Sequence, residues 1–115
     1  MKFLSNVFSV QMLDLEAKRN LVITPLTLDE AKRELIIEPY KSVINHQETV
    51  NVLSELVGFK IQLNNEPIKL RPIDTLIVGQ VIGNLNLPEG CTTLPEGAEI
   101  QFLKVQVKCN RMKIQ

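Results

Sequence analysis

The stretch Ser42–Gly58, SVINHQETVNVLSELVG, decides how the rest of this 115-residue chain is interpreted. Val50, Leu53 and Val57 recur at spacings of three and four residues, which places them on one stripe of a helix. The final glycine suits the left-handed position just past a helix C-terminus. The pattern therefore predicts a helix over 46–57 that packs its apolar stripe against a core.

A second helix is predicted on the N-terminal side of this stretch. Thr27-Leu28-Asp29-Glu30 matches a capping box, in which the Thr27 hydroxyl and the Glu30 carboxylate satisfy N–H groups at the helix start. The apolar residues that follow share one face of the helix, and Pro39 ends it. We expect this helix to lie on the surface of a β-sheet.

Short segments rich in Val, Leu, Ile and Phe flank the two helices and predict strands. The predicted strands cover 2–10, 20–24, 59–63, 67–70, 75–82 and 99–107. The first two are expected to pair or neighbour each other, and a turn is expected at Asn64-Asn65. The order of two strands, two helices and then further strands differs from the regular alternation of strands and helices in a Rossmann fold. The order predicts an α+β fold: one domain over 1–115, with a mixed β-sheet of about five strands flanked by helices.

Composition and charge exclude several classes of protein. Thirteen Lys and Arg balance thirteen Asp and Glu, so the basic surface of a protein that coats long nucleic acid is absent. No apolar run reaches the roughly 20 residues needed to cross a bilayer, and polar residues interrupt the apolar opening MKFLSNVFSVQML, which predicts a buried strand rather than a signal peptide.

The chain has two cysteines, Cys91 and Cys109, and one histidine, too few for a disulfide framework or a structural zinc site. These observations predict a cytoplasmic protein with no cofactor, no long nucleic acid partner and no membrane partner. A domain of this size also often gains stability from a partner subunit, which makes a homodimer plausible.

The single histidine is the strongest candidate for chemistry, because the chain lacks a P-loop, a GxGxxG motif, a nucleophile elbow and an HExxH motif. His46 stands where a loop turns into the second predicted helix. A helix N-terminus offers free N–H groups to a phosphate, and an imidazole beside it can transfer a proton. This favours phosphodiester chemistry, whereas the alternative is an ordinary, partly exposed loop histidine, since the sequence shows no partner for it.

Two other segments are weaker candidates for a site. Asn6 interrupts the first predicted strand, and a polar residue there either satisfies a neighbouring backbone group or lines a site. The segment NLPEG at 86–90 predicts a turn in which Pro88 and Gly90 have architectural roles. Glu89 in that turn would orient a hydroxyl or pair with a cationic imidazole if the loop closed over a ligand.

Three segments in this order carry a family resemblance: FLSNVFSVQML at 3–13, SVINHQETVNVLSELVG at 42–58, and LIVGQV at 76–81 followed by NLPEG at 86–90. Together they resemble a small crenarchaeal-virus protein family, also found in phages and bacteria, that includes the type III anti-CRISPR ring nucleases. The resemblance covers nearly the whole chain, although each motif is short. It implies a mixed sheet flanked by helices, assembled as a homodimer that binds cyclic tetra-adenylate.

The resemblance also implies a metal-independent reaction and a role for particular residues. A ribose 2′-hydroxyl would attack its adjacent phosphate, with His46 as general acid toward the leaving 5′-oxygen and Glu89 assisting. The implied ligand-binding residues are Asn6, Ser9, Gln11, Ser42 and Asn86.

The chain departs from the family at one position. Asn86, or Asn84 under another gap placement, stands where the family has an arginine. Loss of a guanidinium that stabilises phosphate charge costs on the order of a hundredfold in rate.

Three alternative functions are therefore expected, in order of preference. The first is a ring nuclease that suppresses type III CRISPR second-messenger signalling. The second is a protein that sequesters a cyclic oligoadenylate or another nucleotide without cutting it. The third is a regulatory interaction protein with no nucleotide ligand.

Overall fold

The computed structural model describes residues 1–16 and 18–108 of the chain. In chain order, its elements are β1 (Lys2–Ser5), a short 3-10 helix (Val10–Met12), β2 (Asn20–Leu26), α1 (Leu28–Ile37), β3 (Lys41–Ser42), α2 (Gln47–Val57), β4 (Thr75–Gly83) and β5 (Ala98–Lys108). The strands form one sheet in the order β2-β5-β4-β1-β3.

The sheet is mixed. Strand β1 is central to a parallel set, since it pairs in parallel with both β3 and β4. Strand β5 runs antiparallel to β4 and to β2. The predicted α+β fold with a five-stranded mixed sheet and two helices is confirmed.

Both predicted helices are confirmed at their ends as well as along their length. The capping box of α1 is present, with Glu30 N–H donating to Thr27 Oγ1 at 3.1 Å and Thr27 N–H donating to Glu30 Oε1 at 2.8 Å. Helix α2 ends at Gly58, whose φ of 85° is left-handed and whose N–H donates to the Ser54 carbonyl oxygen. Glycine adopts this conformation without the steric cost of a side chain.

Apolar side chains cover both faces of the sheet, which is why the middle of β4 is a continuous apolar run. On the helix side, Leu4 and Ile77 of the sheet pack with Leu53 of α2. On the opposite side, Phe3 and Leu76 belong to a second cluster, formed under the chain segments that hold Phe8, Met12, Ile68 and Leu70. No helix in the described part of the chain is long and apolar enough to span a bilayer.

The first predicted strand is too long, and its predicted neighbour is wrong. Strand β1 ends at Ser5, whose hydroxyl accepts the Val7 N–H at 3.2 Å and turns the chain toward the 3-10 helix. Strands β1 and β2 lie apart, because β4 and β5 separate them in the sheet. Seven residues of β2 pair with β5 instead, a long-range choice that no local signal specifies.

The strands predicted over 59–63 and 67–70 are absent, and no hairpin forms at Asn64-Asn65. Each segment contains a buried apolar residue, Ile61 in the first and Leu70 in the second. The Ile61 N–H bonds to the Ser54 hydroxyl and the Leu70 N–H to the Met12 carbonyl oxygen, so neither bonds to a neighbouring strand. The fifth strand is β3, a two-residue segment that the sequence pattern does not reveal. Cys109 lies outside the described residues.

Candidate functional site

The candidate site lies at the carboxyl end of β1. Strand β4 runs on past this end, because Ser5 pairs with Val78 and β4 continues to Gly83. The chain that leaves β1 therefore faces the second half of β4 across a gap. Ligands of open sheets commonly bind in the crevice outside the carboxyl ends of parallel strands.

Two adjoining depressions lie at this end of β1 and share Asn6 and Val7. The His46 pocket has a volume of about 230 Å³ and is lined by Asn6, Val7, His46, Thr49, Gln80, Val81, Leu85 and Leu87. The strand-end pocket has a volume of about 440 Å³, and its polar lining residues are Ser5, Asn6, Ser9, Gln11, Asn45, Asn65 and Glu66. Asn6 thus stands between the histidine and the first-strand residues.

His46 is the N-cap residue of α2, but its side chain makes no capping hydrogen bond. The imidazole is 55% exposed, and its Nδ1 lies 3.2 Å from Thr49 Oγ1 and 3.8 Å from Glu48 Oε1. Because Thr49 is buried, this contact fixes the orientation of the ring. Nδ1 is engaged with the helix, which leaves Nε2 for a ligand.

Glu48 connects α2 to a distant loop. Its Oε2 accepts the Gly90 N–H at 3.2 Å, while Oε1 faces His46. The Gly90 N–H, the N–H of Glu48 itself and the charge of His46 lower the pKa of the Glu48 carboxyl, which is therefore ionised at neutral pH. Sequence reasoning missed this role, although an acidic residue in the first helical turn is a recognisable signal.

The loop 84–91 folds on itself at the edge of the His46 pocket. The Asn84 side chain accepts the Asn86 N–H at 3.1 Å and donates to the Glu96 carbonyl oxygen at 3.3 Å. Leu85 and Leu87 face the pocket, while Asn86 and Glu89 are exposed. The carboxylate that pairs with His46 is that of Glu48 rather than that of Glu89.

The other expected ligand-binding residues occupy different surroundings. Asn6, Ser9 and Gln11 come together in the strand-end pocket. The Ser9 hydroxyl accepts the Gln11 N–H at 3.2 Å at the start of the 3-10 helix. Ser42 is buried, and its hydroxyl accepts the Ile44 N–H at 3.4 Å, so it supports the backbone that leads to His46.

Two lining residues, Thr49 and Gln80, were not identified from the sequence. Gln80 interrupts the apolar run of β4 and is exposed, a polar break of the same kind as Asn6 in β1. Thr49 lies on the buried face of α2, where the sequence pattern predicts a core residue. Its contact with His46 is therefore recognisable only in the folded helix.

The described residues that line the two pockets include no lysine or arginine. A lysine lies close by, since Lys41 Nζ pairs with Glu66 Oε2 at 2.8 Å. That hydrogen bond and the charge of Lys41 lower the pKa of the Glu66 carboxyl. Within residues 1–16 and 18–108, no three His, Cys, Asp or Glu side chains are grouped as a metal site would require.

The fold and the site define a small α+β protein whose one histidine opens a helix beside the carboxyl end of a parallel strand. A family model described as STIV B116-like matches residues 2–102, and the chain belongs to this family. The fold is similar to that of B116 of Sulfolobus turreted icosahedral virus, with a TM-score of 0.74 and 22% identity over 91% of this chain and 97% of that chain. No curated protein matches the chain. The family therefore has a member in a virus, in agreement with the viral side of the resemblance.

Proposed function

We propose that this protein is a metal-independent ring nuclease that binds and cleaves cyclic tetra-adenylate and so suppresses type III CRISPR second-messenger signalling. One observation carries the proposal: His46 opens α2 without a side-chain cap and faces Asn6 and Gln80 in one pocket. The free N–H groups of the helix start can hold a phosphate, while the imidazole supplies a proton.

The proposed reaction needs no external nucleophile. The 2′-oxygen of a ribose attacks the adjacent phosphorus and its proton passes to solvent, while the bond from phosphorus to the 5′-oxygen breaks. The leaving 5′-oxygen takes a proton from the His46 imidazolium. Each cut leaves a 2′,3′-cyclic phosphate and a 5′-hydroxyl, so two cuts convert the ring into two linear di-adenylates.

A two-fold homodimer suits this substrate. A ring of four identical nucleotides can present the same face twice, so each subunit would supply one copy of the His46 pocket. The depression of about 230 Å³ in one chain holds only a part of such a ring. We therefore expect one ring to bind for every two chains.

A second candidate function is sequestration without cleavage, and the charges at the site favour it. No lysine or arginine is among the described lining residues, and the resemblance implies that asparagine, Asn86 or Asn84, stands where an arginine is expected. A guanidinium would stabilise the charge that develops on the phosphorane. Without it, the site would still bind bases and riboses through Asn6, Gln11 and Gln80 while cutting slowly.

The deciding experiment incubates the purified protein with cyclic tetra-adenylate in EDTA and resolves the products by chromatography. We expect linear di-adenylates, formed at least about a hundredfold more slowly by His46→Ala, because general acid catalysis contributes roughly that much. Gln47→Ala is the matched control, since the neighbouring Gln47 amide bonds to Asn51 on the same helix.

Calorimetry on both variants and the wild type measures binding and stoichiometry. Binding without products identifies a sequestering protein. Neither binding nor products would refute both nucleotide functions and leave a regulatory interaction protein.

A further inference from the structure

Glu48 divides its two carboxylate oxygens between two parts of the site. Oε1 lies 3.8 Å from His46 Nδ1, and Oε2 accepts the Gly90 N–H at 3.2 Å. A single side chain therefore joins the histidine to the loop that lines its pocket.

The rest of the His46 pocket is uncharged. Strand β4 contributes Gln80 and Val81, the chain after β1 contributes Asn6 and Val7, and the loop 84–91 contributes Leu85 and Leu87. From α2 itself, Thr49 Oγ1 contacts Nδ1. The remaining titratable groups of the loop are Glu89 and Cys91, next to Gly90 on either side, and among the described residues the ion pair of His46 is with Glu48.

We infer that Glu48 is a positioning residue with two effects: it holds the loop 84–91 beside the His46 pocket, and it orients the imidazole for its role as proton donor. The inference rests on the proposed function. The Glu48 carboxylate lies 3.8 Å from Nδ1, so it acts on the same ring nitrogen as Thr49 Oγ1 and leaves Nε2 open. The hydrogen bond to Gly90 ties the loop that carries Leu85 and Leu87 to the start of α2.

The same carboxylate also repels the phosphates of a substrate. Glu48 supports the proton transfer and weakens the binding of the anionic ring, because its charge stands at the helix start where a phosphate would lie. Removal of the charge should therefore lower the rate of cleavage while KM stays equal or falls. A residue that only stabilised the fold would change both in the unfavourable direction.

Two variants separate the two effects. Glu48→Gln removes the charge but keeps an oxygen that can accept the Gly90 N–H, whereas Glu48→Ala removes both. Glu55→Gln is the matched control, because Glu55 is exposed on the same helix. NMR follows the signals of the His46 imidazole and the hydrogen exchange of the Gly90 amide in each variant, and the kcat and KM of cleavage are measured from pH 5 to 9.

In Glu48→Gln, we expect the NMR signals of the His46 imidazole to move, with slow Gly90 exchange retained. The kcat of cleavage should fall about threefold, which lies within the range for the loss of one exposed ion pair. In Glu48→Ala, Gly90 exchange should also accelerate at least about fivefold, as expected for the loss of one hydrogen bond. Glu55→Gln should match the wild type.

Unchanged His46 imidazole signals in both Glu48 variants, or unchanged Gly90 exchange in Glu48→Ala, overturn the inference. A rise in KM in Glu48→Gln also overturns it. Absence of cleavage by the wild type at every pH refutes the ring-nuclease proposal and the catalytic role of Glu48, and the NMR data then show whether the contacts exist without it.

Discussion

The two helices are held to the sheet in opposite ways. Helix α1 buries Ala31 and Leu35, and its two ends are closed by specific polar contacts. Helix α2 buries five residues, Thr49, Val50, Val52, Leu53 and Val57, and its first residues carry no side-chain cap. A helix that is anchored by its core face can therefore leave its N-terminus open to a ligand.

The C-terminal end of α1 shows how polar contacts replace apolar burial. Lys2, buried in β1, donates through Nζ to the Glu34 carbonyl oxygen at 2.6 Å and pairs with the carboxylates of Glu34 and Glu38. Lys104 of β5 reaches the other oxygen of Glu34 at 2.9 Å. We call these four residues the Lys2 cluster. Ammonium groups at this end also favour the helix dipole.

The largest expected effect comes from the core face of α2. Leu53→Ala should destabilise the protein by about 2–5 kcal/mol, because Leu53 is 1% exposed and its removal leaves a cavity against β4. Leu35→Ala in α1 should cost less, since α1 buries two residues whereas α2 buries five. Urea denaturation measures both, and a larger loss for Leu35→Ala would contradict the comparison.

The next effect comes from the Lys2 cluster and depends on pH. Partial burial by itself raises the pKa of Glu34, but hydrogen bonds and charge from Lys104 and Lys2 outweigh it, so the pKa lies below its ordinary value of 4.5. A lowered pKa stabilises the fold above that value, and this contribution is lost as the pH falls through the pKa of the folded state.

Glu34→Gln should therefore cost about 1–3 kcal/mol at neutral pH, the range for hydrogen bonds to charged groups. The difference between the variant and the wild type should shrink as the pH falls below 4.5. Denaturation at several pH values measures this difference in the free energy of unfolding. Glu30→Gln, at the other end of α1, serves as the control. A difference between Glu34→Gln and the wild type that grew in acid would contradict the predicted direction.

The capping box of α1 gives a smaller effect. Thr27→Ala should destabilise by about 1 kcal/mol, because the Glu30 N–H loses its acceptor. Thr27→Ser keeps the hydroxyl and should lie close to the wild type. Thermal unfolding measures both variants, and cleavage of cyclic tetra-adenylate should be unaffected by either.

The smallest effect on stability should be at the start of α2. His46→Ala should change the free energy of unfolding by less than about 0.5 kcal/mol, because the imidazole is half exposed and makes no capping bond. The same variant should lose cleavage, as described above. A loss of stability as large as that of Thr27→Ala would mean that His46 serves the fold.

Local patterns predicted much of this fold. The capping box at Thr27, the stripe of Val50, Leu53 and Val57, and the glycine at 58 each specify a helix end or face within a few residues, so both helices were placed correctly. The long strands β4 and β5 were also placed correctly. The segment 59–70 was misassigned, because an apolar run signals burial whether or not its backbone joins a ladder.

The candidate site was predicted in part. His46 and Asn6 were identified because a histidine at a helix start and an amide in an apolar strand are local features, and the structure brings both into one pocket. Glu48 was missed as the partner of His46 although it lies two residues away, and its second contact, Gly90, lies 42 residues further along the chain. No sequence pattern carries that information.

By itself, the sequence determined the helices, the α+β class and the histidine that opens α2, since propensity, capping and periodicity act over a few residues. The tertiary structure decided the order of the strands, the pairing of β1 with β3 and the contact of Glu48 with Gly90. These depend on contacts between residues far apart in the chain, whose free energy arises only when the sheet has formed and both of its faces are buried.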